Sequence, residues 1–521
     1  MSQWDFTRNS YINWLSDNNL KNKFLSKIKY KGFSLWWATK LVDRDNVNEE
    51  KWYYNLHSIL NNKKIKNDNL NYFYFFFKFL KKLIKSLLFN LMINIFIKKN
   101  KNNEKIKNCF FSFGNDLVDT KNNYIDRQYG KASFVNKKDN AYFVSLNEEI
   151  NFINQILSFK NKIKKIPCRY FIADHYISYK EIINIYFFTL VEFFKLILIL
   201  KKKNFFIIKN KNCQIPLEKK LLESFFGSIQ NTLINGISVG NFIKKNRCKN
   251  LISYLEFYPL SRSIYYFSKL NNKKINLISI NHANYSSDNL FFNFKKKEFF
   301  NRRIELNSPK PDIFFCQGKK YFNNLQKIFN KKNIFLIGSL KLELNSYVGK
   351  KIKKINSKIN RIDNKKAILT IFTSLNDYKS FVEVLNNENL SNCNIILKPH
   401  PIKHHKTINY FNSKFKHKFI FLKNFDSRKL IAISNYIIFG DSSIGLEASI
   451  QKKNVFRIYH NNFIPTFNRD TEIPTIIDKK KIKIDIPKIK FKQKSLLIER
   501  NYFYKYDKLA SKRFYKILKK F

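Results

Sequence analysis

The sequence predicts an α/β protein with two doubly wound parallel sheets. Short apolar runs bounded by polar residues alternate with helical stretches along most of the 521-residue chain, and this alternation is typical of parallel βαβ units. A polar stretch rich in Lys and Asn at positions 340–366 divides the runs into two groups. We therefore predict one domain at 1–345, a second at 346–497, and a C-terminal helix at 498–521.

The composition is ordinary for a globular protein except in its charge. At 521 residues the chain is long enough for two or three domains, each with its own core, and its 44% of hydrophobic residues argues against wholesale disorder. The formal charge is +60, and the abundant Lys, Asn, Ile, Phe and Tyr residues are those of A- and T-rich codons. Base bias of the genome therefore explains the charge better than nucleic-acid binding, and no Arg-rich arm stands out. A basic surface still favours acidic partners such as sugar nucleotides or anionic lipid headgroups.

Cysteines and histidines do not predict a metal centre. The six cysteines are scattered without a CxxC pair, which fits reduced cytosolic thiols better than disulfides or zinc ligands. His400 and His404 are four residues apart, but Pro401 disfavours a regular helix through both. The N-terminus has no basic segment followed by an apolar core, so no signal peptide is expected. We predict a cytoplasmic protein with neither a metal nor another cofactor.

The apolar runs of the first domain predict buried parallel strands. They span 108–113, 169–173, 250–254, 276–280, 312–316 and 333–339. Polar turns follow two of them, with Asp116 and Asp119 after the first and His282 after the fourth. Glu256 and Arg262, on either side of Pro259, are interpreted as structural residues.

Two long apolar segments raise the question of a membrane. Residues 72–98 combine aromatic and aliphatic runs with four lysines between positions 78 and 85. A spanning helix needs about 20 mostly uncharged residues, so these lysines argue against a full span. A basic amphipathic helix on an anionic membrane surface and a core-packed helix are both compatible with this pattern. For residues 181–200, where two charges interrupt the apolar run, we expect a buried helix.

The most informative stretch of the second domain begins with an apolar run at 394–398. Pro399 and Pro401 forbid continuing this strand, so Lys398 and His400 lie at its carboxyl end. Ligands of open α/β sheets bind outside the carboxyl ends of the strands. We therefore expect both side chains to face a ligand.

Two further strand ends belong to the same predicted site. The run at 436–439 stops at Gly440, after which Ser442 or Ser443 caps a helix that carries Glu447. The first strand of this domain, at 367–372, also ends in hydroxyl-bearing residues. Backbone N–H groups at a helix start, together with serine hydroxyls, are typical of a phosphate site. The residues expected around one anionic ligand are Lys398, His400, Ser442 and Ser443.

Two motifs in this domain resemble those of a known superfamily. Lys398-Pro-His-Pro401 and Asp441-Ser-Ser-x-Gly-x-Glu-Ala448 look like the HP and SS motifs of GT-B glycosyltransferases that use CMP-activated acidic sugars. These are bacterial sialyltransferases, polysialyltransferases and capsule Kdo transferases. The motifs are also similar, more loosely, to those of CDP-glycerol glycerophosphotransferases. The resemblance implies a GT-B fold, in which two Rossmann-like doubly wound domains face each other across a cleft.

The resemblance also implies roles for individual residues. His400 would meet the nucleotide phosphate and stabilise or protonate it as it departs, and Ser442 and Ser443 would hold phosphate oxygens. Glu447 would bind the ribose, while Thr373 and Ser374 would line the cleft. GT-B enzymes generally work without a bound metal, so the resemblance implies none here.

The sequence departs from the family pattern in its first domain. The sialyltransferases place an acidic base in a short acidic-Gly motif, and this chain has no clean copy of it. Asp116, Asp119 and His282 are the candidates for the base. Many superfamily members have Gln-His-Gly where this chain has Asn281-His282-Ala283.

We therefore expect a glycosyltransferase of cell-surface polysaccharide biosynthesis. It would transfer a sugar from a nucleotide donor, with a CMP-sugar favoured, to an oligosaccharide or lipid-linked glycan at the inner face of the cell membrane. One alternative is a glycerophosphotransferase with a CDP-activated donor. A second alternative, from another class, is a non-catalytic scaffold that binds glycans or nucleotides.

Overall fold

The computed structural model describes most of the chain. The described residues are 3–16, 27–44, 51–65, 72–100, 106–119, 123–133, 138–146, 152–200, 206–282, 290, 293–301, 307–343, 362–363, 365–373, 377–400, 404–422, 425–440, 442–458, 475–476 and 495–521. The predicted boundary at 345/346 and the candidate Ser374 lie outside these ranges.

Strands are labelled β1 to β19 in chain order. They are Lys29–Tyr30, Phe33–Ser34, Asn108–Phe113, Leu117–Asp119, Tyr124–Asp126, Asn140–Ser145, Arg169–Ile172, Ile207–Ile208, Lys211–Asn212, Asn250–Ser253, Asn276–Ile280, Ile313–Cys316, Ile334–Leu336, Ala367–Phe372, Cys393–Lys398, Ile420–Phe421, Tyr436–Phe439, Asn454–Ile458 and Thr475–Ile476.

Helices are labelled α1 to α15 in the same way. They are Gln3–Ser16, Lys51–Leu60, Tyr72–Phe96, Phe152–Ile163, Tyr179–Leu200, Gln214–Glu223, Ile229–Asn246, Pro259–Asn271, Lys319–Gln326, Tyr378–Leu385, His404–Lys414, Ser427–Ile433, Ile444–Ile450, Ser495–Ile498 and Ala510–Leu518. Within the described residues, a kinked segment, Ser224–Ser228, joins α6 to α7, and a π-helical turn, Glu499–Phe503, follows α14.

The first sheet has the order β13-β12-β11-β10-β3-β6-β7, and all its neighbouring strands are parallel. In chain order, β3 lies in the middle, β6 and β7 extend to one side, and β10 to β13 extend to the other. This is the doubly wound topology that the alternation of runs predicted. The winding reverses between β3 and β10, which places the ligand crevice of such a sheet at their carboxyl ends. Strand β6 was not predicted from the sequence.

A ladder of asparagines begins four strands of this sheet. Asn140, Asn108, Asn250 and Asn276 are paired in register across β6, β3, β10 and β11. Asn276 donates to Asn250, Asn250 to Asn108, and Asn108 to Asn140, at 2.8–2.9 Å. Because buried amides need partners, the ladder satisfies these groups and holds the strands in one register.

The second sheet is wound in the same way, with the order β16-β15-β14-β17-β18-β19 and all neighbours parallel. The first strand β14 again lies in the middle, and the winding reverses between β14 and β17. The prediction of two Rossmann-like domains is therefore confirmed.

A helical layer precedes and covers the first sheet. The paired Trp36 and Trp37 are buried in a core that also contains residues of α1, α2, α3, α5 and α6. Helix α3 matches the segment predicted at 72–98. Helix α5 was expected to be buried, and this is wrong for one of its faces: Phe187 and Leu198 are 68% and 61% exposed. Its composition is apolar all round, so the sequence pattern could not separate the packed face from the outer one.

The C-terminal segment connects the two cores, but it is not the single helix predicted at 498–521. Tyr504 has a φ of 62° and interrupts the helix before α15 begins at Ala510. Tyr502 packs in the core of the second sheet, while Phe514 packs in that of the first. Tyr515 accepts a hydrogen bond from Asn140 at 2.6 Å, which ties α15 to the asparagine ladder.

Candidate functional site

The carboxyl ends of β14 and β17 define the crevice of the second sheet. These strands are neighbours, and the sheet reverses its winding between them. Thr373 follows β14 directly, and Gly440 follows β17. The sheet topology therefore brings together two of the three strand ends that the sequence predicted, and β15 lies beside β14 as the third.

Lys398 and Thr373 occupy adjacent strand ends. The Thr373 amide donates to the Lys398 carbonyl at 3.3 Å. Lys398 is buried, and burial lowers the pKa of its ammonium while the nearby Asp426 charge opposes that change. The Thr373 hydroxyl is buried and has no hydrogen-bond partner among the described residues. A buried cation beside a hydroxyl that still has hydrogen-bonding capacity is suited to an anionic oxygen.

His400 lies just beyond this pair. It follows β15 by two residues, after Pro399, and its side chain is partly buried. The structure thus places His400 at the edge of the strand end that carries Lys398, as the sequence predicted. Neither its contact with a phosphate nor its role in catalysis is tested by this geometry.

The two serines after β17 differ in their local bonding. The Ser442 hydroxyl accepts a hydrogen bond from the Ile444 amide at 3.3 Å. Ser443 precedes α13, but its side chain makes no capping bond. Ser442 therefore stabilises the helix start, and Ser443 does not.

Glu447 makes a contact that the sequence did not predict. Its carboxylate is buried and accepts from the Lys341 ammonium at 3.0 Å. Lys341 lies shortly after β13, the last strand of the first sheet. The pair therefore joins the second domain to the end of the first, and the predicted ribose contact of Glu447 stays a prediction.

An acidic residue of this crevice was missed. Asp377 precedes α10 in the loop after β14, and it is buried against Gly440. A Cβ at Gly440 would lie 1.8 Å from Asp377 Oδ2, so a side chain at this position would displace the carboxylate. The available signal was the position of Asp377, four residues beyond Thr373 at the first strand end of a doubly wound sheet.

The first sheet carries a histidine–glutamate pair at its own crevice. His282 Nδ1 lies 3.1 Å from Glu256 Oε2. Glu256 Oε1 also accepts from the Asn281 side chain at 3.0 Å and from the His282 amide at 3.2 Å. Since a carboxylate only accepts, Nδ1 carries the proton and Nε2 is left as the basic nitrogen.

Glu256, interpreted from the sequence as structural, is fully buried and has a strained backbone. Burial raises the pKa of its carboxyl, while the His282 charge and the hydrogen bonds from His282 and Asn281 oppose that rise. Its φ of 38° is unusual for a residue with a side chain. Such strain often marks a functional position. Sequence reasoning missed Glu256 because its partner, His282, lies on the loop of the next strand.

Asp116 lies close to this pair and is held by other groups. It accepts from the Tyr254 hydroxyl and pairs with Arg127 at 2.7 Å. The rings of Tyr254 and His282 are 5.5 Å apart. Asp116 therefore borders the His282 site, whereas Asp119 is exposed on β4.

A second carboxylate is buried behind Asp116. Asp126 accepts from the Ser112 hydroxyl and from the amides of Gln128 and Tyr129. Burial, followed by the Asp116 charge, raises the pKa of Asp126 to about 8. The Asp126 carboxyl is therefore mostly protonated at pH 7.

No group of three or more His, Cys, Asp or Glu residues that could hold a metal ion occurs in the described part of the chain. All six cysteines are buried free thiols.

Comparisons with known proteins return distant structural similarities. No family model and no curated protein sequence matches this chain. Similar solved structures include the UDP-GlcNAc 2-epimerase of Neisseria meningitidis bound to UDP-GlcNAc, with 13% identity, 68% of this chain and 82% of that chain covered, and a TM-score of 0.40. The wall teichoic acid polymerase TagF shares 13% identity over 87% of this chain and 98% of its own, with a TM-score of 0.43. A putative UDP-N-acetylglucosamine 2-epimerase of Listeria monocytogenes has 10% identity, coverage of 80% and 96%, and a TM-score of 0.45.

These similarities are too distant to assign an activity. The class of protein follows from the two doubly wound sheets and their polar crevices: this is an α/β protein with the two Rossmann-like domains of the GT-B fold.

Proposed function

We propose that the protein is a glycosyltransferase of cell-surface polysaccharide biosynthesis that uses a nucleotide-activated sugar, with a CMP-sugar favoured. One observation carries this proposal: the polar groups at the carboxyl-end crevice of one sheet are suited to binding a phosphate, and those at the crevice of the other are suited to accepting a proton. The second sheet offers a buried lysine, a histidine and hydroxyls, while the first offers a histidine oriented by a buried carboxylate. A transferase needs both sets, one for a departing phosphate and one for a proton.

The donor would bind at the second sheet. Lys398 and His400 would neutralise the charge that develops on the nucleoside phosphate, and the Thr373 and Ser443 hydroxyls would bind its oxygens. As the bond between the anomeric carbon and the phosphate oxygen breaks, its electron pair stays on the phosphate. His400 would stabilise or protonate that oxygen.

The acceptor would react beside the first sheet. An acceptor hydroxyl would give its proton to His282 Nε2 while its oxygen forms the new bond to the anomeric carbon. Glu256 accepts from Nδ1–H, so it holds the ring in the required tautomer and stabilises the imidazolium that forms. His282 is thus the proposed base, and Glu256 is the residue that positions it.

Nucleotide binding tests the donor site. Thermal shifts of the full chain should be recorded with CMP, CDP, UDP, GDP and ADP. A ligand at a hundred times its dissociation constant stabilises a protein by about 2.7 kcal/mol, which is readily visible. We expect stabilisation by CMP, lost in His400→Ala and kept in His405→Ala, a matched control on the exposed side of α11.

The other outcomes of this test are also informative. Selective stabilisation by CDP would favour a glycerophosphotransferase with a CDP-activated donor. Binding of CMP without transfer to any acceptor would favour the scaffold. No shift with any nucleotide, or equal shifts in both histidine variants, would overturn the donor site.

The protein is further proposed to lie on the anionic inner surface of the cell membrane. Helices α3 and α5 pack side by side, with Ser86 Oγ 2.7 Å from the Tyr186 hydroxyl. Their outer faces are apolar, and the exposed large side chains are Tyr74, Phe77, Leu80, Ile84, Leu88, Leu91, Ile95, Phe96, Tyr179, Ile183, Phe187, Phe194 and Leu198. A helix that packs on a protein core needs only one apolar face, so a second one suggests a second apolar environment.

Charge favours a lipid surface as that environment. Helix α3 contains no acidic residue and exposes Lys78 and Lys81. Lys180 is exposed on α5. A basic helix pair with an apolar outer face matches the pattern of an interfacial helix on anionic lipid. Among the described residues, α5 alone is long and apolar enough to cross a bilayer, and 33% of its apolar window is buried in the protein.

Co-sedimentation with vesicles tests this surface. Binding to phosphatidylserine-containing vesicles is expected, with weak binding to phosphatidylcholine vesicles. Phe77→Glu and Phe187→Glu should abolish it, whereas Leu270→Glu, on the exposed end of α8, should not. If the wild-type protein bound neither kind of vesicle and formed a dimer that Phe77→Glu abolished, a second copy of the chain would cover this face instead.

A further inference from the structure

A cavity of about 430 Å³ lies in the first domain, outside the residues placed in the donor site. Its floor is formed at the carboxyl ends of three adjacent strands by Phe113 of β3, Ser145 of β6 and Ala173 after β7. Its walls are the helices α3 and α7. The cavity therefore occupies the side of the sheet edge on which parallel α/β sheets bind ligands.

Both helical walls turn a regular polar stripe towards the cavity. The cavity-lining residues of α3 are Lys78, Lys82, Ser86 and Phe89. Those at the start of α7 are Ser228 just before it, Asn231, Thr232 and Asn235, with Ile234 as the one apolar lining residue of this helix. Both sets follow helical spacing, so each is one face of its helix. A seam between two packed helices is normally apolar. Polar stripes on both sides indicate a space built for a polar ligand.

The backbone at the start of α7 is shaped to open this space. Phe226 and Gly227 leave helical geometry, and Gly227 has a φ of 119°. Buried Gln230 stabilises the bend by accepting from the Gly227 amide at 2.8 Å and donating to the Phe225 carbonyl at 2.7 Å. The Lys82 side chain lies over the bend, with its Nζ 3.5 Å from where a Gly227 Cβ would be.

The charged residues of the lining favour an anion. Three lysines line the cavity, Lys40, Lys78 and Lys82, against two acids, Asp174 and Glu223. Two of these lysines are four residues apart on α3, and Lys40 comes from a separate element. Ammonium groups arriving from two directions suit an anion with several oxygens, such as phosphate.

The remaining lining fits a sugar. Hydroxyl and amide groups from α3 and α7 can bind sugar hydroxyls, and three phenylalanines offer apolar surface to a sugar ring: Phe89, Phe113 and Phe226. We infer that this cavity binds the glycosyl phosphate end of the acceptor, a sugar ring that carries a phosphate group. This inference rests on the transferase function proposed above.

The position of the cavity agrees with an acceptor role. The Phe113 ring, in its lining, lies 6.4 Å from the Tyr254 ring, which lies 5.5 Å from His282. The rings of Phe113 and Tyr254 therefore connect the cavity lining to the proposed base, which does not itself line the cavity. On its other side, α3 separates the cavity from the apolar outer face. A glycosyl phosphate joined to a lipid could thus extend its sugar towards the base and its chain towards the membrane.

Isothermal titration calorimetry on the full chain tests the inference with glucose 1-phosphate, glucuronate, glucose, inorganic phosphate and n-decyl phosphate as probes. Glucose 1-phosphate should bind at least tenfold more tightly than any of the other four. Lys82→Gln and Asn231→Asp should each weaken its binding tenfold or more. Lys81→Gln should change it less than twofold, because Lys81 is exposed on the same helix and does not line the cavity.

Each other outcome would overturn the inference in a defined way. If glucuronate bound as tightly as glucose 1-phosphate, the cavity would recognise any acidic sugar and would not require a phosphate group. Equal binding of inorganic or decyl phosphate would show a simple anion or headgroup site without sugar recognition. Equal losses in Lys81→Gln and Lys82→Gln would show nonspecific attraction to a basic protein, and no binding of glucose 1-phosphate would remove the site.

The nucleotide test separates this inference from the proposed function. Variants at Lys82 and Asn231 should keep the CMP-induced thermal shift, which also confirms that they are folded. A nucleotide shift without glycosyl phosphate binding would leave the donor site standing and reject the cavity. Binding of glucose 1-phosphate without a thermal shift by any nucleotide would support the cavity and reject the donor site.

Discussion

The two crevices share one topology but differ in how completely their polar groups are bonded. At the first sheet, Glu256 accepts three hydrogen bonds from Asn281 and His282. At the second, the Thr373 hydroxyl is buried without a partner among the described residues, and Ser443 does not cap its helix. The first crevice is thus ordered by the protein itself, as proton transfer requires, while the second is suited to being completed by a ligand.

The largest effect should come from breaking the ordered crevice. His282→Ala should lower the rate of transfer by about 10²- to 10⁴-fold, since it removes the proposed general base. The CMP-induced thermal shift should be unchanged, because the donor site lies on the other sheet. The transfer rate can be measured from the release of the nucleotide product, and CMP binding from thermal shifts of the same preparations. A loss of nucleotide binding equal to the loss of rate would contradict the division of roles.

Glu256→Gln sharpens the same comparison. The amide keeps the size of the side chain but cannot stabilise the imidazolium, so the rate should fall while substrate affinity is retained. A positioning role also predicts a changed pH–rate profile, which a purely structural role would not produce.

The buried acid beside this crevice should make stability depend on pH. The pKa of Asp126 is raised to about 8 in the folded protein, whereas it is about 3.9 in an unfolded chain. Its stabilising contribution is therefore complete below about pH 4 and is lost as pH rises through about 8. A tenfold difference in proton affinity between the folded and unfolded states corresponds to about 1.4 kcal/mol, so this contribution amounts to several kcal/mol.

Melting temperatures measured from pH 4 to 9 test this linkage. In Asp126→Asn the decline towards pH 8 should be flatter than in the wild type. Asp119→Asn, which changes an exposed acid on β4, should leave the profile unchanged. Parallel profiles for all three proteins would show that Asp126 ionises normally.

At the second crevice, Lys398→Met should weaken nucleotide binding by about 1.5–3 kcal/mol, the range for a hydrogen bond to a charged group. Lys406→Met, on the exposed side of α11, is the matched control. Lower stability with unchanged affinity would make Lys398 a structural residue.

The smallest expected effect concerns the link between the two domains. Glu447→Gln should cost about 0.5–1 kcal/mol, since its partner Lys341 is one-third exposed and the ion pair is screened by solvent. Lys341→Met should cost a similar amount. Nucleotide titrations of both variants separate the two roles of Glu447. A tenfold loss of affinity in Glu447→Gln alone would support the ribose contact, and no loss would leave only the ion pair.

The sequence alone determined the strands of the second crevice and the residues that follow them. Prolines and glycines stop strands for local steric reasons, so the positions of Lys398, His400 and Ser442 could be derived without a structure. The alternation of apolar runs and helical stretches likewise predicted two doubly wound sheets. Both conclusions depend on neighbours in sequence, and such interactions can be read directly from the chain.

Only the tertiary structure decided what depends on distant neighbours. Glu256 pairs with His282, 26 residues away in the loop after the next strand. The outer face of α5 was missed because an apolar helix does not reveal in its own sequence which of its faces is packed. The predicted C-terminal helix breaks at Tyr504 because its two parts pack in different cores. Burial and long-range pairing are properties of the folded chain, and local patterns do not contain them.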